Sequence, residues 1–428
     1  MTNQYSLLID IGGTDLKVGL VKEGESKLLH VSRYPTPSFL KSSNDRKEIS
    51  PKELLFSCNM AISNAERVFG SIKSIALSGQ MGCWILTDNQ NNPATNVISW
   101  QDKRIQEIIP AGHSFLEFAK KIYGQESQRL SGNEIRLGLP IFGMYQYLHE
   151  NKVNSKLRFH SLISWLSSQL VTEYPFIAHV TDFASSGMLN LESKKMLSDF
   201  KELFKEQIAF PEVTDQYLCL GESKTKESKF FVGIGDQQAS LYGSKLSENA
   251  IVVNIGTGGQ VAALQPNDGA DTNAQVRPYF DGKRIKTLTH LPAGRALTAY
   301  AEVLNSEKLG ELDYESILKS RVSEITNIAK RDIVNFEEDV FRIPKPVNYQ
   351  EKQNLSDEVA YQFFQVYRNA IKSLNCESMT SLIFAGGVGQ RFLSLQESLG
   401  KEFKTAVHVA DTNESTLQGL SFLLTTTK

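Results

Sequence analysis

At 428 residues the chain is too long for one ordinary hydrophobic core, so two or more domains are expected. Its 46 Lys and Arg balance 48 Asp and Glu, with no basic run longer than a couple of residues. That removes the electrostatic footprint of a nucleic-acid binder and leaves a small neutral or anionic ligand. Cys58, Cys83, Cys219 and Cys376 are scattered, with no CxxC pair and no His at metal-ligand spacing, so neither a disulfide framework nor a zinc site is expected. The opening MTNQYSLLID runs into an apolar strand without the features of a secretory signal, and no stretch approaches the roughly 18 apolar residues of a membrane span. A soluble cytoplasmic protein without membrane contact is the expectation.

Residues 6–21 read as a strand LLIDI, a Gly-Gly-Thr turn and a second strand LKVGLV. Asp10 stands at the strand end beside Gly12, Gly13 and Thr14, where glycines let backbone N–H groups approach an anion. A carboxylate with free N–H groups suits Mg2+ and phosphate together, because Mg2+ keeps several waters and takes few protein ligands. An ordinary glycine hairpin is the alternative, and the turn has neither the Lys of a P-loop nor a GxGxxG pattern. Next come a strand at 74–79 ending in Ser78-Gly79-Gln80-Met81 and the run Ser99-Trp100-Gln101-Asp102-Lys103-Arg104. Indole on a sugar face, with Gln, Asp and Arg on its hydroxyls, has the composition of a polyol pocket; a core-anchoring Trp with a polar rim reads equally well.

A helix is predicted over 140–150 and an irregular stretch over 183–229. The charged, Ser-rich residues 222–228 look like a solvated connection, which places a domain boundary between 1–229 and 230–428. The apolar strand FFVGIG then leads into Asp236-Gln237-Gln238. Phosphoryl transfer asks protein for positioning, charge neutralisation and a base, and Asp236 at a strand end is the residue for that base; a helix N-cap is its alternative. Residues 250–264 repeat the opening design: strand IVVNI, turn Gly256-Thr257-Gly258-Gly259, strand QVAAL. The two passages align without gaps, Asp10 over Asn254 and Gly12 over Gly256, which points to a duplicated domain whose paired turns hold a polyphosphate from two sides. After Tyr279 the pattern is helical, at 297–304 and 359–374. A strand at 381–387 carries Gly386-Gly387-Val388-Gly389 before a helix at 391–399, a place for a base or ribose or simply a tight connection. Strands alternating with helices give an α/β protein with mixed sheets.

The order of motifs resembles the FGGY family of carbohydrate kinases over nearly the whole chain: DIGGT, SGQM, SWQDKR, TDFASSG, GIGDQQAS, NIGTGGQVA, FAGGVGQRF and NESTLQG. The resemblance implies two ribonuclease-H-like, actin-like ATPase domains flanking a central cleft, the first binding sugar and the second ATP. It implies Asp236 as catalytic base. It puts Asp10 and Asp236 near Mg2+, Gly12, Gly13, Thr14, Gly256, Thr257 and Gly258 on the phosphates, and Gly386 and Gly387 near adenosine. Gln80, Met81, Trp100, Gln101, Asp102, Asp236 and Gln237 would face a small-molecule sugar. Trp100-Gln101-Asp102 and the stretch 277–282 look most like sedoheptulokinases, with xylulokinases next and other ketose or polyol kinases behind them. A non-catalytic actin-like ATP-binding regulator is the reading from another class, and a homodimer is among the possible assemblies. Two departures stand out. SGQMGCW has Gly82 and Cys83 where a sugar-contacting His and a Gly are usual, which could enlarge the pocket or be refilled by Cys83 and Trp84. Gly143-Met144-Tyr145 replaces a Lys-containing run.

Overall fold

The structure, a computed structural model, describes residues 4–42, 45–107, 114–132, 136–224, 228–265, 274–305, 318, 335–337, 340–342, 349–376 and 379–427. Strand β1 (Tyr5–Ile11) is buried along almost its whole length because strands flank it on both edges. It runs antiparallel to β2 (Asp15–Lys22), which pairs antiparallel with β3 (Leu28–Pro35). On its other edge lies β4 (Ile72–Gly79), parallel, followed by the parallel β5 (Lys229–Phe231). Helix α1 (Pro51–Phe69) starts where the Ser50 side chain accepts from the Glu53 N–H with Pro51 in the first turn. It lays Leu54, Cys58, Ala61, Ile62 and Ala65 onto the β1 and β4 core. A second, five-stranded sheet runs in the order Ile208–Ala209, Leu157–Ser161, Trp84–Thr87, Val97–Ile98, Glu48–Ile49 and packs an aromatic core of Trp84, Phe159 and Phe183.

The duplication read from the two hairpins is present as topology. Strand β6 (Ala250–Ile255) is antiparallel to β7 (Gly259–Gln265), which is antiparallel to β8 (Arg284–Leu291). On the other edge β6 is parallel to β9 (Ser381–Ala385), itself parallel to β10 (Ala406–Val409). The order β8-β7-β6-β9-β10 repeats β3-β2-β1-β4-β5 with every strand direction kept. Register carries the correspondence to single residues: Asp10 lies opposite Ser78, and Asn254 opposite Ala385.

The boundary differs from the sequence expectation. One compact unit holds Met1–Gly243, Val276–Lys283 and Thr416–Lys428, and the other Ser244–Gln275 and Arg284–Ser415. The apolar strand after the charged run does not open the second unit, because Lys229 and Phe230 pair with Ser74 and Ile75 and so extend the first sheet. Of the charged run before it, Glu222 pairs antiparallel with Lys229 of β5 as the end of the strand Cys219–Glu222, and residues 225–227 lie outside the described residues; turn and linker compositions look alike. The stretch 183–229 is also less irregular than predicted: it contains the helix Ser198–Phe204 and several strands of two to four residues, too short to show a period. Likewise β8 interrupts the region after Tyr279 that reads as helical. All four cysteines are free thiols, Cys58 and Cys83 buried and Cys219 exposed. Among the described residues no helix is long and apolar enough to cross a membrane.

Candidate active site

In the first unit, three strand ends meet around two carboxylates. Asp10, at the end of β1, is 4% exposed and accepts a 3.0 Å hydrogen bond from Ser78 Oγ on β4. The turn after it is drawn tight: Gly12 N–H donates to the Asp15 carbonyl at 2.9 Å, and a Cβ on Gly12 would sit 2.7 Å from that oxygen. Gly13 and Thr14 stay exposed, as an anion-binding turn requires. On the far side of β4 the two-residue strand Ile234–Gly235 pairs with Ser78 and Gly79, and helix α2 (Asp236–Gly243) begins at once with Asp236. The sheet therefore brings together Asp10 and Asp236 from opposite ends of the stretch Met1–Gly243.

Their electrostatics follow from that geometry. Burial first, then the neighbouring Asp10, push the Asp236 carboxyl up to about 7, against the lowering pull of the Gln237 and Met81 backbone N–H groups. The Gln237 N–H donates to Asp236 Oδ1 at 2.8 Å. A carboxylate with affinity for a proton near neutral pH has the property a general base needs.

Gln80 links this centre to the indole. Its Nε2 donates to the Gly12 carbonyl at 3.0 Å, and its Oε1 accepts from Trp100 Nε1 at 3.2 Å. Trp100, partly buried, packs against the β1–β4 core with its indole Nε1 turned to Gln80. Gln237 is buried beside Asp236, and Gln238 is turned away, its Nε2 donating to the Pro278 carbonyl at 3.2 Å.

Asp102 does not belong with them. Its Oδ1 accepts from Arg104 N and Nε at 3.0 and 2.7 Å, and its Oδ2 accepts from Lys47 N and Arg104 Nη2 at 2.7 and 2.9 Å. Four donors fill the lone pairs of a carboxylate that is 3% exposed, leaving nothing to read a diol. The reading of Gly82 as added room also changes. Gly82 has φ of 80°, so glycine serves the backbone there, and a Cβ on it would lie 3.2 Å from Trp100 Cβ and 3.7 Å from Arg136 Nη2. Trp100 and Arg136 occupy the flank, whereas Cys83 and Trp84 are buried in the cores. Arg136, passed over in the sequence, comes beside Gly82, and the loop before Pro140 is pressed onto Trp100: a Cβ on Gly138 would lie 1.9 Å from the Trp100 carbonyl oxygen.

In the second unit the two glycine turns lie together. The Val388 and Gly389 N–H groups both donate to the Ile255 carbonyl at 3.0 Å, and Gly386, at φ of 78°, would bring a Cβ to 2.5 Å from that oxygen. Thr257, Gly258 and Gly387 remain exposed. The helix Gly294–Asn305 starts against the first turn, its Gly294 N–H donating to the Gly256 carbonyl at 3.0 Å. Exposed backbone at two adjoining turns beside a helix N-terminus offers N–H groups to phosphate and bare surface to a nucleoside.

The sequence model of the FGGY family of carbohydrate kinases, N-terminal domain, matches residues 5–243. A xylulose kinase of Lactococcus lactis is 25% identical over 331 residues, covering 70% of this chain and 61% of that protein, so the chain spans about three fifths of the length of that relative. The crystal structure of a ligand-bound xylulose kinase from Lactobacillus acidophilus superposes with a TM-score of 0.79 at 17% identity, over 98% of this chain and 89% of that one. The structure of Plasmodium falciparum glycerol kinase with ADP gives 0.78 at 16% identity, again over 98% and 89%. The fold is thus the mixed α/β, two-domain, actin-like ATPase architecture.

Proposed function

The chain belongs to the FGGY family of carbohydrate kinases, and from that premise we propose that it transfers the γ-phosphoryl group of ATP to a hydroxyl of a small sugar or polyol. The observation that carries this reading is Asp236, partly buried at a helix start, facing Asp10 and raised to about 7. In the reaction Asp236 accepts the proton of the attacking sugar hydroxyl. Gln80 and Trp100 hold and wall the sugar, Gln101 and Gln237 add amide contacts, and the Met81 N–H keeps Asp236 oriented. The exposed Gly12-Gly13-Thr14 and Gly256-Thr257-Gly258 turns take phosphates, and Gly386 and Gly387 take the adenosine.

Mg2+ fits the residues present. Asp10 and Asp236 are hard oxygen donors whose mutual repulsion a cation would relieve, and among the described residues no cluster of three or more His, Cys, Asp or Glu competes as a metal cage. Asp10 and Asp236 would hold the ion with waters and substrate phosphate, and when bound it neutralises charge on the phosphates.

Within the class we place D-sedoheptulose first, on the similarity of residues 100–102 and 277–282 to sedoheptulokinases, and D-xylulose second, on the named relatives. Trp100 and Arg136 flank Gly82, so the missing side chain there adds nothing in favour of a longer sugar. ADP release measured with D-sedoheptulose, D-xylulose, D-ribulose and glycerol decides the matter. Sugar-dependent turnover that falls about 10²–10⁴-fold in Asp236→Asn while ATP still binds is expected. ATP turnover indifferent to every acceptor would instead favour a nucleotide-binding regulator.

A further inference from the structure

The TDFASSG motif lies apart from the residues assigned above, yet two of its hydroxyls reach the segments that carry them. It follows the strand Ile177–His179 as two short helical turns, Val180–Phe183 and Ala184–Ser186. Thr181 Oγ1 accepts from the Gly235 N–H at 3.2 Å, one peptide before Asp236. Ser185 Oγ accepts from the Gly82 N–H at 2.8 Å, one peptide after Met81, whose own N–H points at the Asp236 carboxylate. The two contacts pin both backbone segments that fix Asp236.

Each hydroxyl is oriented by a second partner. Ser185 donates to the Asp182 carbonyl at 2.7 Å. His179 Nδ1 lies 2.8 Å from Thr181 Oγ1 and accepts the Thr181 N–H at 3.3 Å. Because a backbone N–H can only donate, Nδ1 is the unprotonated ring nitrogen; the Thr181 hydroxyl therefore donates to it and keeps its lone pairs for Gly235. There is no slack on the Gly235 side: a Cβ there would lie 2.9 Å from both Met81 Sδ and the Thr181 carbonyl oxygen. His179 and Thr181 have no exposed surface and Ser185 has 2%. A segment needed only to fill space would do so with Val and Ala, since a buried hydroxyl is costly unless its bonds are made.

Resting on the assignment of Asp236 as base, we infer that Thr181 is a positioning residue, which with His179 holds the Gly235–Asp236 peptide in the orientation that aims the carboxylate at the sugar hydroxyl. The role is separate from nucleotide or sugar affinity, so it acts on kcat.

The test compares full-length Thr181→Val, which keeps the shape and removes the hydroxyl, with Thr181→Ser, which restores it. Thr181→Val is expected to lose about 10–100-fold in kcat, the scale of a small misplacement of a reacting group, with both KM values little changed and Thr181→Ser near wild type. In an Asp236→Asn background the same substitution should cost nothing further, because there is no base left to misplace. Amide exchange at Gly235, which needs no substrate, should quicken in Thr181→Val and not in Thr181→Ser. Should the Val variant fail to fold, His179→Phe keeps a ring beside Phe280 while removing the acceptor; it should cost about 2- to 10-fold in kcat, the weight of one hydrogen bond. A folded Thr181→Val with wild-type kcat, a loss that multiplies unchanged into Asp236→Asn, or unaltered Gly235 exchange would each overturn the inference. Full kcat in Asp236→Asn would overturn the base assignment instead, leaving the Gly235 exchange to decide whether Thr181 holds that peptide.

Discussion

Asp102, Asp182 and Asp236 are acids in polar motifs of one unit, and their neighbours give them different work. Asp102 is consumed by Lys47 and Arg104, so Asp102→Ala should leave a guanidinium that is 5% exposed with Glu48 as its remaining carboxylate and cost about 1–3 kcal/mol in urea unfolding. Unchanged stability with only a raised sugar KM would return Asp102 to the sugar. Asp182 is 1% exposed, accepts from Ser161 Oγ, and is pushed up to about 7, first by burial and further by Asp236. Because its folded pKa lies above the unfolded value of about 3.9, the native state binds more protons between those limits. Asp182 therefore costs stability increasingly as pH rises from about 4 to 7. Asp182→Asn, which still offers Ser161 an acceptor, should match wild type in melting temperature near pH 4 and exceed it by a growing margin toward pH 8; a pH-independent difference would refute the assignment. The sequence shows which positions carry acids. It does not show which acid is already taken, because Asp102 is filled partly by a backbone N–H 55 residues away.

At the scale of elements, the two hairpins were legible because a short continuous apolar run, a glycine turn and a second such run make a pattern that aligns without gaps. The short strands between 189 and 222 were not, since two to four residues hold no period. Motif glycines mixed signal of both kinds: Gly12 and Gly386 serve close turns, but Gly419, at the end of NESTLQG, serves a helix contact. It lies in helix α3 (Ser415–Thr426), where a Cβ would come 1.9 Å from the Ala239 carbonyl oxygen of α2, the helix that begins with Asp236. The backbones of α2 and α3 touch there, which only glycine permits. Gly419→Ala should therefore destabilise by about 1–3 kcal/mol and lower kcat by shifting α2, both read on the purified protein by thermal melting and the ADP assay. A variant with native melting temperature and native turnover would show that α3 can move aside without consequence.

For the whole molecule, the first unit is not contiguous in sequence. Its chain leaves after Gly243, returns for Val276–Lys283 and closes with Thr416–Lys428, and nothing in the composition of those two returns distinguishes them from the segments around them. Packing does. Tyr279 and Phe280 are 6% exposed and meet Tyr242, which also meets Phe422; Leu417, Leu420 and Leu423 are buried; and Gln418 and Ser421 both donate to the Ser26 carbonyl. Each such apolar side chain contributes about 1.5–3 kcal/mol on burial, so these five together are comparable with the roughly 5–15 kcal/mol by which a folded domain is stable. A fragment ending at residue 243, where the family match also ends, should therefore fail to fold as a native unit even though it contains Asp10, Gln80, Trp100 and Asp236. Deleting 416–428 from the full chain should weaken the same unit through loss of the three leucines and the Gly419 contact. Calorimetry with near-ultraviolet circular dichroism tests both: the fragment should show no cooperative transition and little aromatic signal. A sharp transition with a native aromatic spectrum in residues 1–243 would mean that the returning segments decorate a core already complete without them.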